Sequence, residues 1–242
     1  MRPSVFLPIL ICGGLALAGC GAASAVEPSA SPAPPTAPVL STASPPEAST
    51  ATVEPTVAGP SGVVVFRILP EQSEARFLVD EILAGSPKTV VGTTTEVSGE
   101  ITGDFASPQS VVVGPIQVDM STLETDNGFR NRAIHDVILQ TGDEANRFAV
   151  FQVTAIEGLP AAVEFGTAYE LLLTGDLTIH GVTRPVTFEA VVTPVSETRL
   201  EGAASVSLLY RDFGVQVLRL PPQVASVGNE VTLEIDFVAE AE

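Results

Sequence analysis

Tyr169 to His180 reads YELLLTGDLTIH, with Leu171, Leu173, Leu177 and Ile179 on one face of an extended chain and Thr174, Asp176, Thr178 and His180 on the other. A period of two marks a strand with one buried face, because successive side chains of a pleated strand point to opposite sides. The next run repeats the pattern: Val186, Phe188, Ala190 and Val192 share a face, opposed by Thr187 and Glu189. Gly181-Val182-Thr183 between the two runs supplies a turn, so they pair as an antiparallel hairpin. A hairpin with one apolar side needs more strands to cover it.

The chain supplies them. Val63 to Leu69, Ala75 to Ile82, Thr89 to Thr95, Glu96 to Asp104, Val111 to Met120, Phe148 to Ile156, Leu200 to Tyr210 and Val231 to Val238 bring the count to about ten short strands. In the last of these Val231, Leu233, Ile235 and Phe237 face in, while Thr232, Glu234 and Asp236 face out. Asp126 to Leu139 is the exception: Ile134, Val137 and Ile138 lie three or four apart, which predicts one helix in an all-β domain. So many antiparallel strands must manage their edges, by closing into a barrel or by stacking as a two-sheet sandwich. The inward rows are mostly Val, Leu, Ile and Ala, aromatics are 5% of the chain and Trp is absent, so few residues could plug a lumen. That favours an open interior, although a flattened sandwich packs the same residues without one.

Residues 1–60 stand apart from this pattern. After Arg2 the chain is apolar from Val5 through Ala18, too short for a membrane span but suited to a secretory leader. It ends Leu17-Ala18-Gly19-Cys20, which resembles a bacterial lipobox, in which the Cys thiol receives diacylglycerol before cleavage exposes its amine. The expected divisions are a lipoprotein signal peptide over 1–20, a tether over 21–60 and the β-domain over 61–242. Cys12 falls in the leader and Cys20 is acylated, which leaves no thiol for a disulfide or a Cys-based metal site. Two or three acyl chains suffice to hold the protein at a membrane. The tether holds nine of the 20 Pro, with Ser, Thr and Ala between them, and is expected to be extended at about 3.1 Å per residue. The chain is therefore expected to be exported and lipid-anchored at the cell envelope, on a periplasmic face or at the cell surface.

Charge and motifs exclude several classes. The 182 residues after the tether carry 10 basic and 26 acidic side chains, a balance that repels nucleic-acid phosphates and anionic lipid headgroups. Membrane attachment is then expected from the acyl chains rather than from surface charge. Neither His135 nor His180 sits in a metal-ligand spacing, and there is no GxSxG elbow, P-loop, GxGxxG or DxDxDG loop. His180 reads as a surface residue beside a turn. Most carboxylates fall on outward strand positions and read as a solvated face, with no paired spacing. The domain is expected to be neither an enzyme nor a holder of a metal or cofactor; a homodimer is left open.

Specific segments carry a resemblance. Val91-Gly92-Thr93 with Ser98-Gly99-Glu100-Ile101, then Val118-Asp119-Met120-Ser121-Thr122 with Thr125-Asp126-Asn127 and Arg130, then Leu177-Thr178-Ile179-His180-Gly181-Val182-Thr183-Arg184-Pro185-Val186, and finally Tyr210-Arg211-Asp212-Phe213-Gly214 occur in the order seen in YceI-like proteins. The match spans nearly all of residues 64 to 238, and the LTIHGVTRPV and RDFG segments are the most specific. Two places depart from the pattern: Asn131 stands where an Asp commonly follows the Arg, and Asn146-Arg147 replaces the usual Tyr-Pro.

The resemblance implies an extended, antiparallel, lipocalin-like β-barrel of about eight strands with one short helix, and a hydrophobic tunnel for a polyisoprenoid, an isoprenoid quinone or a similar long-chain lipid, carried or stored. The expected tunnel wall is Leu171, Leu173, Leu177, Ile179, Val186, Phe188, Val206, Leu208, Leu233 and Ile235, residues that also suit a packed core. Arg130 could hold a polar head such as a phosphate or quinone oxygen, or form a structural ion pair. Phe213 and Gly214 are expected to shape a turn rather than touch a ligand. The competing reading is a surface-displayed interaction domain whose barrel is filled.

Overall fold

The computed structural model describes residues 62–217, 220 and 222–242. Cys20, the leader and the tether lie outside the described residues. Thirteen strand segments form one antiparallel sheet: β1 (Val64–Ile68), β2 (Glu74–Leu83), β3 (Ser86–Thr94), β4 (Val97–Ser98), β5 (Glu100–Gly103), β6 (Val112–Val113), β7 (Ile116–Asp119), β8 (Phe148–Glu157), β9 (Tyr169–Ile179), β10 (Val182–Ser196), β11 (Arg199–Leu209), β12 (Val224–Val227) and β13 (Glu230–Ala241).

These segments reduce to eight ribbons. β1 and β2 pair with the same edge of β13, β1 at Ala239–Ala241 and β2 at Thr232–Asp236, so they are one strand bent at the 3-10 turn Pro70–Gln72. β3, β4 and β5 likewise follow one path, in which β3 pairs with β2, β5 with β1 and β6, and β4 with β7. β6 and β7 form a third ribbon. β12, absent from the sequence-based expectation, continues β13 along β2 at Glu81–Leu83. Its sequence, VASV before a Gly, is too short for alternation to show. From β7 the pairing passes through β8, β9, β10, β11 and β13 back to β2, so the sheet curls into a lipocalin-like barrel.

The β9–β10 hairpin shows why the sheet turns where it does. Its two-residue turn is His180-Gly181, with φ of 51° and 71°, while Val182 and Thr183 already pair with Ile179 and Thr178. The turn therefore lies one residue earlier than Gly181-Val182-Thr183. Left-handed φ at both central positions makes a primed turn whose twist suits the strands, and Gly181 takes that conformation without strain. His180 is partly buried rather than a surface residue, because the 3-10 turn Tyr210–Phe213 and Gly214 pack over the hairpin.

The predicted helix is shorter and compound. Asn127 caps α1 (Gly128–Ala133) by accepting from the N–H of Phe129 and of Arg130, and Ile134–Ile138 continues as a π-helical turn closed by Leu139 N–H donating to Ile134 O, at 2.8 Å. The wider turn rotates Val137 off the inward face. It is 56% exposed, whereas Ile134 is buried. A second short helix, α2 (Glu144–Arg147), leads into β8.

Inward glycines shape the interior. Gly92, Gly175 and Gly202 face in, and each is overlain by a phenylalanine from a neighbouring strand: a Cβ on Gly92 would lie 2.2 Å from the Phe77 ring, one on Gly202 2.7 Å from Phe237, and one on Gly175 2.8 Å from Phe151. The rings occupy the space of the missing side chains. They line the wall instead of crossing the lumen.

Strand propensity alone favours Val over Gly at position 92, by up to about 1 kcal/mol. The overlap with Phe77 reverses the sign: Gly92→Val is expected to destabilise by about 1–3 kcal/mol. Urea denaturation measures this, and pairing it with Phe77→Ala should recover part of the loss.

Candidate functional site

The barrel encloses a cavity of about 890 Å³, at the upper end of the roughly 300–1,000 Å³ common for small-molecule sites. Its wall is almost wholly apolar, built from the inward rows of every ribbon. Of the expected wall, Leu171, Leu173, Leu177, Ile179, Phe188, Leu208, Leu233 and Ile235 line it. Val186 and Val206 do not; they pack against the surrounding core cluster. Phe213, expected only to shape a turn, does both: Gly214 after it is left-handed at φ 72°, and the Phe213 ring is 2% exposed and lines the cavity. Phe66, Phe77, Phe105, Phe129, Phe151 and Phe237 join it. The interior is thus open despite a concentration of rings on its wall, because the inward glycines accommodate several of them.

One end of the cavity is packed. Phe66, Ile68, Ala75, Val97, Leu200 and Ala239 form a second buried cluster there, and Phe105 stacks edge-to-face on Phe66 and Phe165 at 5.9 and 5.1 Å. The other end is the mouth. Every well-exposed lining residue, among them Asn127, Phe129, Ala133, Leu220 and Pro222, lies on α1 or the loop before β12. Phe129 is 84% exposed.

The mouth also carries charge, and its described charged lining residues are paired. Along β2 the inward row runs Ala75, Phe77, Val79, Glu81, Leu83, so Glu81 faces into the barrel and is 6% exposed. The Arg130 guanidinium donates to Glu81 Oε1 at 2.9 Å and also to Asp126, which in turn accepts from Lys88 Nζ at 2.6 Å. Arg130, Lys88 and Glu81 all line the cavity. Most carboxylates are expected on outward, solvated strand positions; Glu81 is an exception that faces in, with Lys88 opposite it on β3. Their parity with Phe77 and Val90 was the available signal.

His135 Nε2 lies 2.8 Å from the Leu123 carbonyl, to which it donates in the appropriate tautomer, and His180 Nε2 is buried with no partner among the described residues. Among those residues, no three His, Cys, Asp or Glu converge as metal ligands.

Comparison with known proteins identifies this architecture. The sequence pattern of the YceI-like domain matches residues 66–239. A UPF0312 protein of Shewanella sp. strain ANA-3 is 26% identical over 156 residues, covering 62% of this chain and 73% of its own. One of Shewanella denitrificans is 29% identical over 150 residues, covering 60% and 73%. A polyisoprenoid binding domain from Saccharophagus degradans, implicated in plant cell wall breakdown, superposes with a TM-score of 0.57 at 16% identity, over 75% of this chain and 100% of that one. Burkholderia cenocepacia BcnA superposes with a TM-score of 0.53 at 16% identity, over 71% and 98%. Both structures share the fold.

The departures from the family pattern are structurally accommodated. Asn131 Oδ1 accepts from the Thr125 backbone N–H and hydroxyl, at 2.8 and 2.6 Å, a purely accepting role that an Asp carboxylate also fills. Arg147 makes two hydrogen bonds to Asp119 Oδ2, at 3.0 and 2.8 Å, and lies over the Phe148 ring, tying α2 to the end of β7. Burial alone would raise the Asp119 pKa, but hydrogen bonds from Arg147 and Ser121 outweigh it and hold the carboxyl below its ordinary 3.8. A depressed folded pKa gives stability that is complete above the ordinary value and lost as the pH falls through the depressed one. Thermal melts from pH 6 to 3 should therefore show a decline below about pH 4 that is shallower in Asp119→Asn; equal slopes would discount the pair.

Proposed function

The chain belongs to the YceI-like family, and from that premise and the shape of the cavity we propose that it binds one long-chain apolar lipid, a polyisoprenoid or isoprenoid quinone, for carriage or storage. The observation that carries this reading is the 890 Å³ apolar cavity, closed at one end and open beside α1. The lipid named for the Saccharophagus degradans domain of the same fold supports it. Burial of apolar chain releases about 25 cal/mol per Å², enough for micromolar or tighter binding without a specific polar contact. The almost wholly apolar lining supports binding rather than catalysis as its role.

Within this reading, the Cys20 acyl group anchors the protein at an extracytoplasmic membrane face and residues 21–60 space the barrel from it.

Organic extraction of purified protein followed by mass spectrometry should release about one long-chain lipid per chain. Ala204→Trp, which places a large ring on the cavity wall, should yield far less lipid while melting within a few degrees of the parent. An empty parent, or a Trp variant that unfolds, would favour the filled-barrel interaction domain. Cys20→Ser should move the protein from membrane to soluble fractions; unchanged fractionation would sink the anchor.

A further inference from the structure

We propose that the mouth selects lipids with an uncharged head, such as a prenyl alcohol or quinone, and rejects prenyl phosphates. This rests on the lipid-binding reading above and adds a head-group specificity to it.

The site is a chain of four charges, Lys88–Asp126–Arg130–Glu81, that sums to zero. Among the described residues, both cations that line the cavity mouth, Lys88 and Arg130, are already engaged. Arg130 donates to Glu81 from the inner side and to Asp126 from the outer side, and Lys88 donates to Asp126. Arg130 is 20% exposed by side chain and Glu81 5%, so this pair sits at the threshold of the apolar interior rather than out in solvent.

A phosphate monoester carries a charge of about −1.5 to −2 at neutral pH. To be held here it must either join a chain whose four described charges already cancel or draw Arg130 away from Glu81. The second route leaves the Glu81 carboxylate buried without a partner, the costly way to break an enclosed ion pair. It also places two anions side by side in a poorly screened site. A hydroxyl or quinone oxygen meets neither obstacle, since it can accept from a guanidinium N–H or donate to a carboxylate oxygen without displacing the pair. Glu81 is thus a specificity residue: it cancels the charge that would otherwise make Arg130 a phosphate-binding group.

Geranylgeraniol and geranylgeranyl phosphate differ only in the head, so their ratio isolates this effect. Displacement of an apolar naphthylamine fluorophore from the full chain should show the alcohol binding at least tenfold more tightly than the phosphate. Glu81→Gln, which frees Arg130 of its inner partner, should reduce that ratio at least fivefold. Asp126→Asn removes an exposed carboxylate from the same chain and should reduce it in the same direction, which carries the test if Glu81→Gln melts early. Phosphate binding as tight as the alcohol in the parent, or a ratio unmoved in both variants, overturns the proposal while leaving lipid binding intact. Displacement by neither compound overturns the lipid-binding reading itself, and the proposal with it.

Discussion

Hydrogen bonding between β13 and the bent β1–β2 ribbon closes the ring of strands, and the open interior depends on it. A sheet with free edges must shield them, and the usual means is to pack a second layer across one face. Once the pairing returns on itself, the backbone groups of the wall are satisfied by neighbours around the circumference. The inward side chains then need to cover only one another. Closure around so few ribbons demands strong curvature, and the chain meets it with short segments, bends at Pro70–Gln72 and between β3 and β5, and inward glycines where a ring from the next strand needs room.

The same closure explains why the charged residues on inward rows of the strands, Glu81 and Lys88, lie at the mouth. A carboxylate deep among Leu177, Phe188 and Ile235 would have no water and no partner. Glu81 lies near the end of β2, where Arg130 on α1 reaches it. The helix is therefore more than a lid ornament: its cap at Asn127 fixes the orientation of Arg130, and Arg130 permits an acid on an inward row. Arg147 acts similarly outside the cavity, holding Asp119 and the α2 segment against the base of β8.

The strand pattern was largely legible because alternation is a local signal. Ten runs read from the sequence correspond to the eight ribbons once the two bent pairs are merged. β12 was not legible, since VASV offers too few residues for a period to emerge. The π turn was not legible either, because a helical face drawn from Ile134, Val137 and Ile138 assumes regular spacing. At the site, eight of the ten residues read from parity line the cavity, and the same parity applied to Glu81 and Lys88 would have placed two charges inside. Glu81 was missed because an acid in a strongly acidic chain reads by default as solvated surface. Val186 and Val206 face in but do not reach the void, since whether an inward residue touches space or a neighbour depends on the side chains opposite it.

Alternation, composition and turn residues determined by themselves that the strands from Val64 to Ala241 form an antiparallel β-domain with an apolar inside, and the ordered motifs identified its family. Those are properties of neighbours along the chain. That the interior is an open cavity with one mouth, where Lys88, Asp126, Arg130 and Glu81 pair, was decided only by the tertiary structure. It depends on rings meeting glycines across strands and on Arg130 meeting Glu81, a residue 49 positions away. Such pairs exist only after the ring has closed.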